Sequence, residues 1–570
     1  MVSTLEVGNI ALERAELPKY KELEKKRWLV RYLMLSSVAI VLCLKIYLIL
    51  FVMDFALGLY SFFSSFVLFN VLFFAYTKYR DPYVKVMEDK DNEKEKEGKT
   101  TGRSSSAPLI SIVVPVKNEE DNIRNCVESC LNQTYENKEV IIVNDGSTDK
   151  TAAILDEIRK EVGVGGSGGG SGIVVGTAPA LASNRTSSTP FSTSSFTNAS
   201  SNITNNNIIN KPKFHILHLS RSVGKKQAVE AASQIAKGEI YAFMDSDCDM
   251  AIDALEKAAQ VFTSDKQLGA LTSHGRVRGA HTGNVLQKMQ DVYIDGSCRA
   301  IKAMETTFSS VTCCSGSLSF YRRAAIQHFI HDWAHDRFLG MDFKFCTDRR
   351  MTAYVLGTKP TLVRDKDEDQ KGVGEGVEGK KVRANNNNNT TTAFASPILQ
   401  TGNDDLNTLK STSDPDIDDT KAPQHYWNVK YSQNIRVNVG VPTTLMALLK
   451  QQIRWKKSFI RSLSSTGGMY WRRPFYPALL YYIQTAMKFL RPYILFHALF
   501  VLPFEGDIRS TILWLLGVLF TGMIYSVDFR LRNPGDRLWI YRPVFTFITT
   551  FLYTWLLPYA AATIRNKGWR

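Results

Sequence analysis

The segment Ile240-Tyr-Ala-Phe-Met-Asp-Ser-Asp247 decides the fold, because an apolar run leads directly into two aspartates that are one residue apart. Such a run, followed by a polar turn, is typical of a buried strand. Ligands of open α/β sheets bind at the carboxyl ends of the strands. Asp245 and Asp247 point the same way while strand geometry holds. We therefore predict a site for a divalent cation bridged to phosphates; an acidic turn that caps the strand is the alternative.

Three further apolar runs precede this segment, at 109–115, 139–143 and 215–219. A helical pattern separates the first two runs, and the alternation of strand and helix predicts a mostly parallel α/β sheet. The second run ends in Asn144-Asp145-Gly146-Ser147, a sequence that by itself mostly marks a turn. At a strand end in this order, however, the carboxylate of Asp145 could accept the imide N–H of a uracil ring.

Two later motifs carry candidate chemistry. Asp348 lies in Cys346-Thr-Asp-Arg-Arg350, ahead of a helical run, and is either a helix cap or a general base for an acceptor hydroxyl. The sequence Gln451-Gln-Ile-Arg-Trp455 lies in an amphipathic segment, 443–463, typical of a membrane interface. Its tryptophan can stack on a sugar and its arginine can hold a pyrophosphate, although an interfacial anchor is the simpler interpretation.

Apolar stretches flank this soluble region on both sides. They occupy 33–53 and 55–76, and then approximately 478–503, 511–527 and 541–563. Each of the first two stretches is near the ~20 residues that a bilayer crossing needs. Basic residues before the first and after the second predict cytoplasmic flanks. A buried helical hairpin in a soluble protein is the alternative.

The net charge of +15 leaves nucleic-acid binding open in principle. The basic residues, however, do not form one stripe with interleaved aromatics, so we expect no nucleic-acid partner. None of the eight cysteines forms a C-x-x-C pair, which argues against a zinc site.

The order of these motifs resembles the processive family 2 membrane glycosyltransferases, and among them the hyaluronan synthases most closely. Chitin and cellulose synthases and the Nod-factor chitooligosaccharide synthases share the pattern. The resemblance covers most of 109–161, 213–364 and 425–464. The segments that carry it, besides the acidic motifs, include Ser111-Ile-Val-Val-Pro115, Asn132-Gln-Thr-Tyr135, Gly224-Lys225, Cys314-Ser-Gly-Ser-Leu-Ser-Phe-Tyr-Arg-Arg323, Phe338-Leu-Gly340 and Lys450-Gln-Gln-Ile-Arg-Trp-Lys-Lys-Ser-Phe459. The terminal Asn566-Lys-Gly-Trp-Arg570 looks like a shortened gating segment.

The resemblance implies an α/β GT-A-type domain, embedded between N- and C-terminal transmembrane helices, that polymerises a polysaccharide from UDP-sugars with inversion. The implied partners are a UDP-sugar, the growing polysaccharide and the lipid bilayer, and the implied cofactor is Mg²⁺ or Mn²⁺. Asp247, supported by Asp245, would hold the metal, and Asp348 would be the catalytic base. The implied substrate-binding residues are Asp145, Lys225, Asp245, Gly316, Arg349, Gln451, Arg454 and Trp455.

The expected organisation places the catalytic domain in the cytosol and the chain, with several crossings, in the plasma membrane. The predicted parts are a cytosolic segment (1–28), two transmembrane helices (29–77), a linker (78–107), the catalytic domain (108–440) with low-complexity inserts at 162–210 and 365–423, interface helices (441–475) and a C-terminal transmembrane region (476–570).

Two positions depart from the hyaluronan-synthase pattern and bear on the sugar specificity. Hyaluronan synthases usually carry Gly-Asp-Asp-Arg where this chain has Cys346-Thr-Asp-Arg349, so Thr347 replaces an acid. Ser317 replaces a proline of their Ser-Gly-Pro. UDP-GlcNAc, with or without UDP-GlcA, is the expected donor. A chitin- or cellulose-like synthase, a non-processive transferase to a lipid carrier, and a binding or transport protein with a decayed transferase domain are the alternatives.

Overall fold

The computed structural model describes residues 17–97, 107–163, 213–342, 347–360 and 426–565. Most of the two predicted inserts, together with Cys346 and Asn566–Arg570, lies outside these residues. The described part of the chain begins with three helices: α1 (Leu17–Phe51), α2 (Phe55–Thr77) and α3 (Pro82–Glu97). Asp54 separates the first two because its carboxylate caps α2, accepting the Leu57 N–H at 2.8 Å.

An eight-stranded mixed sheet forms the centre of the soluble domain. Its strands lie in the order β3-β2-β1-β4-β7-β6-β10-β5, and β8 and β9 form a separate two-stranded sheet. The pairings make β5 and β7 antiparallel to the other strands. The bounds are β1 (Ile110–Val116), β2 (Lys138–Asn144), β3 (Lys213–His218), β4 (Ile240–Phe243), β5 (Cys248–Met250), β6 (Leu268–Val277), β7 (Ser319–Arg322), β8 (Arg337–Phe338), β9 (Met341–Asp342) and β10 (Asn428–Val439).

The central strands are buried on both faces. Every residue of β1 is buried; Ile110, Ile112 and Val114 pack in one core cluster, whereas Val113 packs in the other. Helices therefore cover both faces, as parallel sheets require. They are α4 (Ile123–Leu131), α5 (Thr151–Glu161), α6 (Lys225–Ile235), α7 (Ala254–Ser264), α8 (Val285–Gly296), α9 (Ala303–Thr307), α10 (Arg323–Ile326), α11 (Ile330–Ala334) and α12 (Thr347–Gly357).

The C-terminal region is helical throughout most of its described length. It contains α13 (Leu445–Thr466), α14 (Phe475–Phe496), α15 (Leu502–Phe504), α16 (Ile508–Arg532), α17 (Tyr541–Phe547) and α18 (Tyr553–Ala562). Five helical stretches of the described chain are long and apolar enough to cross a membrane: Trp28–Phe51, Phe55–Asn92, Phe475–Phe504, Ile508–Arg532 and Leu538–Ala562. Their positions overlap the apolar stretches of the sequence, but the second continues to Asn92, inside the segment 78–107 that the sequence predicted to be a linker.

The polar residue inside the first of these stretches faces a neighbouring helix. Lys45 Nζ donates to the Ser61 carbonyl at 2.9 Å, to Ser61 Oγ at 2.7 Å and to Ser65 Oγ at 2.6 Å. Apolar side chains of the same helix, such as Ile40 and Leu44, are exposed instead. This division is the one expected when lipid surrounds the outer face and polar groups pair inside.

Candidate active site

One cavity of about 1090 Å³ opens at the carboxyl edge of the sheet and extends to α13 and α14. All ten residues that the sequence singled out for the site line this cavity, although they come from positions spread over three hundred residues. They are Asp145, Lys225, Asp245, Asp247, Gly316, Asp348, Arg349, Gln451, Arg454 and Trp455.

The position of the cavity follows from the strand order. Strands β2 and β3 lie on one side of β1, and β4 lies on the other side. The direction of strand addition thus reverses between β1 and β4, where the strand-end loops separate and leave a crevice. Asp145 follows β2 directly, and Asp245 and Asp247 follow β4, so the aspartates lie around this crevice.

Asp145 holds the loop that leads into α6. It is only 4% exposed, and its carboxylate accepts from Ser222 Oγ at 2.9 Å, the Val223 N–H at 2.6 Å and the Gly224 N–H at 3.0 Å. Gly224, with φ of 102°, turns the chain into the helix. These three donors leave little of the carboxylate's accepting capacity. A direct contact of Asp145 with uracil is therefore still a prediction.

Lys225, the first residue of α6, lies between two carboxylates. Its Nζ forms an ion pair with Asp245 and lies 4.0 Å from Asp348 Oδ1. Burial alone would lower the pKa of Lys225, but Asp245 and then Asp348 raise that pKa well above its ordinary value. The lysine is therefore firmly cationic, and it links the Asp-x-Asp segment to the candidate base.

Asp247 is held mainly through its backbone. Its carbonyl accepts from Arg278 Nη2 at 3.0 Å and from the Gly440 N–H at 3.2 Å, while Cys248 Sγ lies 3.2 Å from Oδ1. Burial, followed by the charge of Asp245, raises the pKa of Asp247. A buried carboxyl group with a like charge beside it gains from a cation. Carboxylate oxygens suit Mg²⁺ or Mn²⁺, so these residues fit the implied metal.

Asp348 lies in the first turn of α12, but its carboxylate does not cap that helix. Oδ2 accepts the Gly316 N–H at 3.0 Å, and Oδ1 accepts from the Thr347 hydroxyl at 2.6 Å. Both donors fix the side chain toward the cavity. The carboxylate is thus directed into the cavity and not to the end of the helix; that Asp348 acts as the base stays a prediction.

Gly316 lies against both acidic groups. A methyl group added at this residue would come within 2.9 Å of Asp245 Oδ2 and 2.9 Å of Asp348 Oδ2. Only glycine admits the two carboxylates at this separation. Gly316 thus sets the space between the carboxylates of Asp245 and Asp348.

Helix α13 forms the opposite wall, with Gln451, Arg454 and Trp455 facing the cavity. The Trp455 side chain is 45% exposed. Arg349, next to the candidate base, reaches this helix: its Cζ lies 5.9 Å from the centre of the Phe459 ring. Farther along the helix, Arg461 Nη2 donates to the Ile564 carbonyl at 2.6 Å and ties α13 to the end of the described chain.

A comparison with protein families shows which family the residues of this cavity resemble. The model of glycosyl transferase family 2 matches residues 111–174 and 193–330, which include Asp145, Lys225, Asp245, Asp247 and Gly316. The chain carries a family 2 glycosyltransferase domain. The predicted class of enzyme is thereby confirmed.

Relatives of this glycosyltransferase include a hyaluronan synthase of Streptococcus pyogenes, which is 21% identical over 463 residues, or 81% of this chain and 82% of the relative. An N-acetylglucosaminyltransferase of Rhizobium meliloti (strain 1021) is 30% identical over 146 residues, covering 25% of this chain and 34% of the relative. The predicted relation to both groups is confirmed.

Among solved structures, a mannosyltransferase from Pyrobaculum calidifontis in complex with GDP-Man and Mn²⁺ matches with a TM-score of 0.44 and 13% identity, covering 85% of this chain and 96% of that one. The eight-stranded, mostly parallel sheet and the family match support the predicted GT-A-type α/β domain between apolar helices.

The glycosyltransferase also contains site residues that the sequence did not reveal. Tyr481 and Gln484 of α14 line the cavity, but they lie in an apolar stretch whose cavity-facing side cannot be determined from composition; Lys488, a charged residue of the same stretch, lines it too, as expected for a charge within a membrane segment. Thr347, which we noted only as a departure from the usual acid, donates to the candidate base. In the sequence, the hydroxyl-bearing residue directly before Asp348 was the feature that could have indicated this hydrogen bond.

Proposed function

We propose that this chain is a processive, inverting glycosyltransferase that builds a polysaccharide from UDP-sugars and passes it through its own membrane helices. The observation that carries the proposal is the continuity of the cavity. It runs from the acidic edge of the sheet to Lys488 on α14, within a helical stretch long and apolar enough to cross a membrane.

The donor half of the site lies at the sheet edge. Asp145 and Lys225 would lie by the nucleotide, and Asp247, with Asp245, would hold Mg²⁺ or Mn²⁺ beside the diphosphate. When bound, such a cation supplies positive charge to the departing diphosphate. Lys225 adds a fixed positive charge at the same place. Arg454, on the opposite wall, would contribute to holding the diphosphate.

The transfer itself needs one base. An acceptor hydroxyl attacks the anomeric carbon of the donor sugar, the new carbon–oxygen bond forms as the bond to UDP breaks, and the hydroxyl proton passes to Asp348. UDP leaves with the bonding electron pair. Attack from the face opposite to UDP inverts the anomeric centre. Gly316 and Thr347 support this role by fixing both oxygens of Asp348.

The acceptor half explains processivity. Gln451, Arg454 and Trp455 would hold the end of the polymer, and the exposed indole offers an apolar face to a sugar ring. Basic flanks of the N-terminal helices support an active site in the cytosol. The product is then secreted through the membrane, and we place the chain, with its several crossings, in the plasma membrane. UDP-GlcNAc, alone or alternating with UDP-GlcA, is the proposed donor.

The decisive experiment measures UDP release by detergent-solubilised, purified protein with Mn²⁺, and compares UDP-GlcNAc, UDP-GlcNAc plus UDP-GlcA, and UDP-Glc. Release that requires both sugars, with a high-mass product digested by hyaluronidase, would establish a hyaluronan synthase. Release with one sugar would indicate a chitin- or cellulose-like enzyme, and a single-sugar product on lipid would exclude processivity. No release with any donor would overturn the proposal.

A further inference from the structure

A second cluster of ionisable side chains lies outside the cavity, on the surface between α6 and α11. Glu230 of α6 faces two histidines, with Oε1 at 2.6 Å from His331 Nδ1 and Oε2 at 2.9 Å from His335 Nε2. None of these three residues lines the catalytic cavity. The proposed transferase chemistry therefore leaves the cluster unexplained.

The three side chains converge on one point. His331 and His335 are four residues apart, and their ring centres are 4.6 Å from each other. One ligand atom from each histidine and one from Glu230 all lie within 4.8 Å of one another. Glu230 is mostly covered, with 14% of its side chain exposed, whereas His331 and His335 are 75% and 39% exposed. The carboxylate thus lies at the covered side of the cluster, and the two imidazoles are accessible to solvent.

We propose that Glu230, His331 and His335 form a binding site for Zn²⁺. Two imidazole nitrogens and one carboxylate oxygen are a ligand set that zinc accepts, with water in the fourth tetrahedral position. Nitrogen ligands distinguish this site from the aspartates of the cavity, which suit a hard cation. Small rotations of the three side chains would exchange their mutual hydrogen bonds for bonds to the metal.

The position of the site gives the metal a structural role. On the inner side of the segment that carries the two histidines, Trp333 Nε1 donates to the Thr347 carbonyl at 3.1 Å. Asp336 accepts from Arg350 Nε at 2.7 Å and from Nη2 at 3.0 Å. The segment therefore buttresses the first turn of α12, which carries Asp348. Bound Zn²⁺ would fasten this support to α6, whose first residue is Lys225.

The sequence argued against zinc because it offered no paired cysteines, and that criterion does not apply to this ligand set. Glu230 is separated from the two histidines by about a hundred residues of sequence. The pair of histidines four residues apart was visible, but the third ligand appears only once α6 and α11 pack together.

The experiment uses the full-length protein without a histidine tag, stripped with EDTA and then kept in millimolar Mg²⁺ with UDP so that the catalytic site is filled. Zn²⁺ binding is measured by competition with a chromophoric chelator, and Co²⁺ replaces Zn²⁺ for visible spectra. We expect one tight equivalent of Zn²⁺, a tetrahedral Co²⁺ spectrum and a higher unfolding temperature with Zn²⁺.

The variants His331→Ala and His335→Ala should each weaken Zn²⁺ binding by more than about 100-fold, because loss of even an outer partner of a ligand costs about 10–100-fold. His328→Ala, which removes a nearby exposed histidine, should bind like wild type. Equal Zn²⁺ affinity in all four proteins, or no binding by wild type at micromolar Zn²⁺, would show that the cluster is only a surface ion pair. UDP release with Mn²⁺ tests the transferase separately.

Discussion

The two walls of the cavity are built differently. At the sheet edge, neighbouring loops fix the acidic side chains: Asp145 accepts three hydrogen bonds, and Asp348 accepts from Gly316 and Thr347. On the helical wall, Trp455 is nearly half exposed and the lining residues project from α13 and α14.

Under the proposed function, this difference predicts a division of labour. Transfer of a sugar requires groups held at defined positions, and the sheet edge provides them. Movement of the proposed polymer requires contacts that break and re-form after each addition, and the helical wall, where Trp455 is 45% exposed, suits that task. Changes at the sheet edge should therefore stop each transfer, whereas changes on the helical wall should mainly shorten the product.

The largest effect is expected for Asp348→Asn. The amide keeps the shape of the side chain but cannot take the proton of the acceptor hydroxyl, and general base catalysis contributes about 100- to 10,000-fold. UDP release with donor and Mn²⁺ should fall by that factor, while UDP binding by calorimetry stays near the wild-type value. Activity within about tenfold of wild type would refute Asp348 as the base.

Gly316→Ala should have the next largest effect. The new methyl group would lie 2.9 Å from one oxygen of Asp245 and 2.9 Å from one oxygen of Asp348, so both carboxylates must move. Displacement by about 1 Å can cost about 100-fold in rate. The matched control is Gly468→Ala, because a methyl group there meets nothing within 4 Å. Equal UDP release by the two variants would show that the gap at Gly316 is dispensable.

Thr347→Val tests the hydrogen bond that holds the proposed base, and its effect should be smaller. Valine keeps the shape of threonine and removes the hydroxyl that donates to Asp348 Oδ1 at 2.6 Å. Because this hydroxyl holds the carboxylate in place, and a misplacement of about 1 Å can cost about 100-fold in rate, kcat should fall by roughly 10- to 100-fold. Thr347→Ser keeps the donor and should retain most of the activity; a serine variant as slow as the valine variant would contradict this role.

The sequence predicted the sheet edge better than the helical wall, for a physical reason. Strands β1, β2 and β4 are buried on both faces and therefore read as apolar runs, and the aspartates follow such runs directly. The carboxyl ends of parallel strands meet at one edge, so strand order alone brought Asp145, Asp245 and Asp247 together.

The rest of the site depends on packing between distant segments. Lys225 joins Asp245 and Asp348, and Gly316 fits between their carboxylates, but no local pattern encodes these distances. On α14, Tyr481 and Gln484 are polar residues in an apolar helix, and the sequence does not show which side of that helix meets the cavity. Family resemblance located Gly316 and Lys225; it did not supply the hydrogen bond of Thr347.

The smallest effect on each transfer is expected for Trp455→Ala. This variant is also the sharpest test of the comparison between the sheet edge and the helical wall. The indole would contribute to binding and not to bond making, and loss of uniform binding leaves kcat largely intact, so UDP release should fall by less than about tenfold. Because that contact is made again after every addition, the loss recurs at each step, and the product on a sizing gel should become markedly shorter. Trp471→Ala is the matched control, since Trp471 is exposed near the same interface and stacks on Tyr482 rather than lining the cavity. If Trp455→Ala instead lowered UDP release as far as Asp348→Asn while product length stayed unchanged, the helical wall would belong to the chemistry, and the division between the two walls would be wrong.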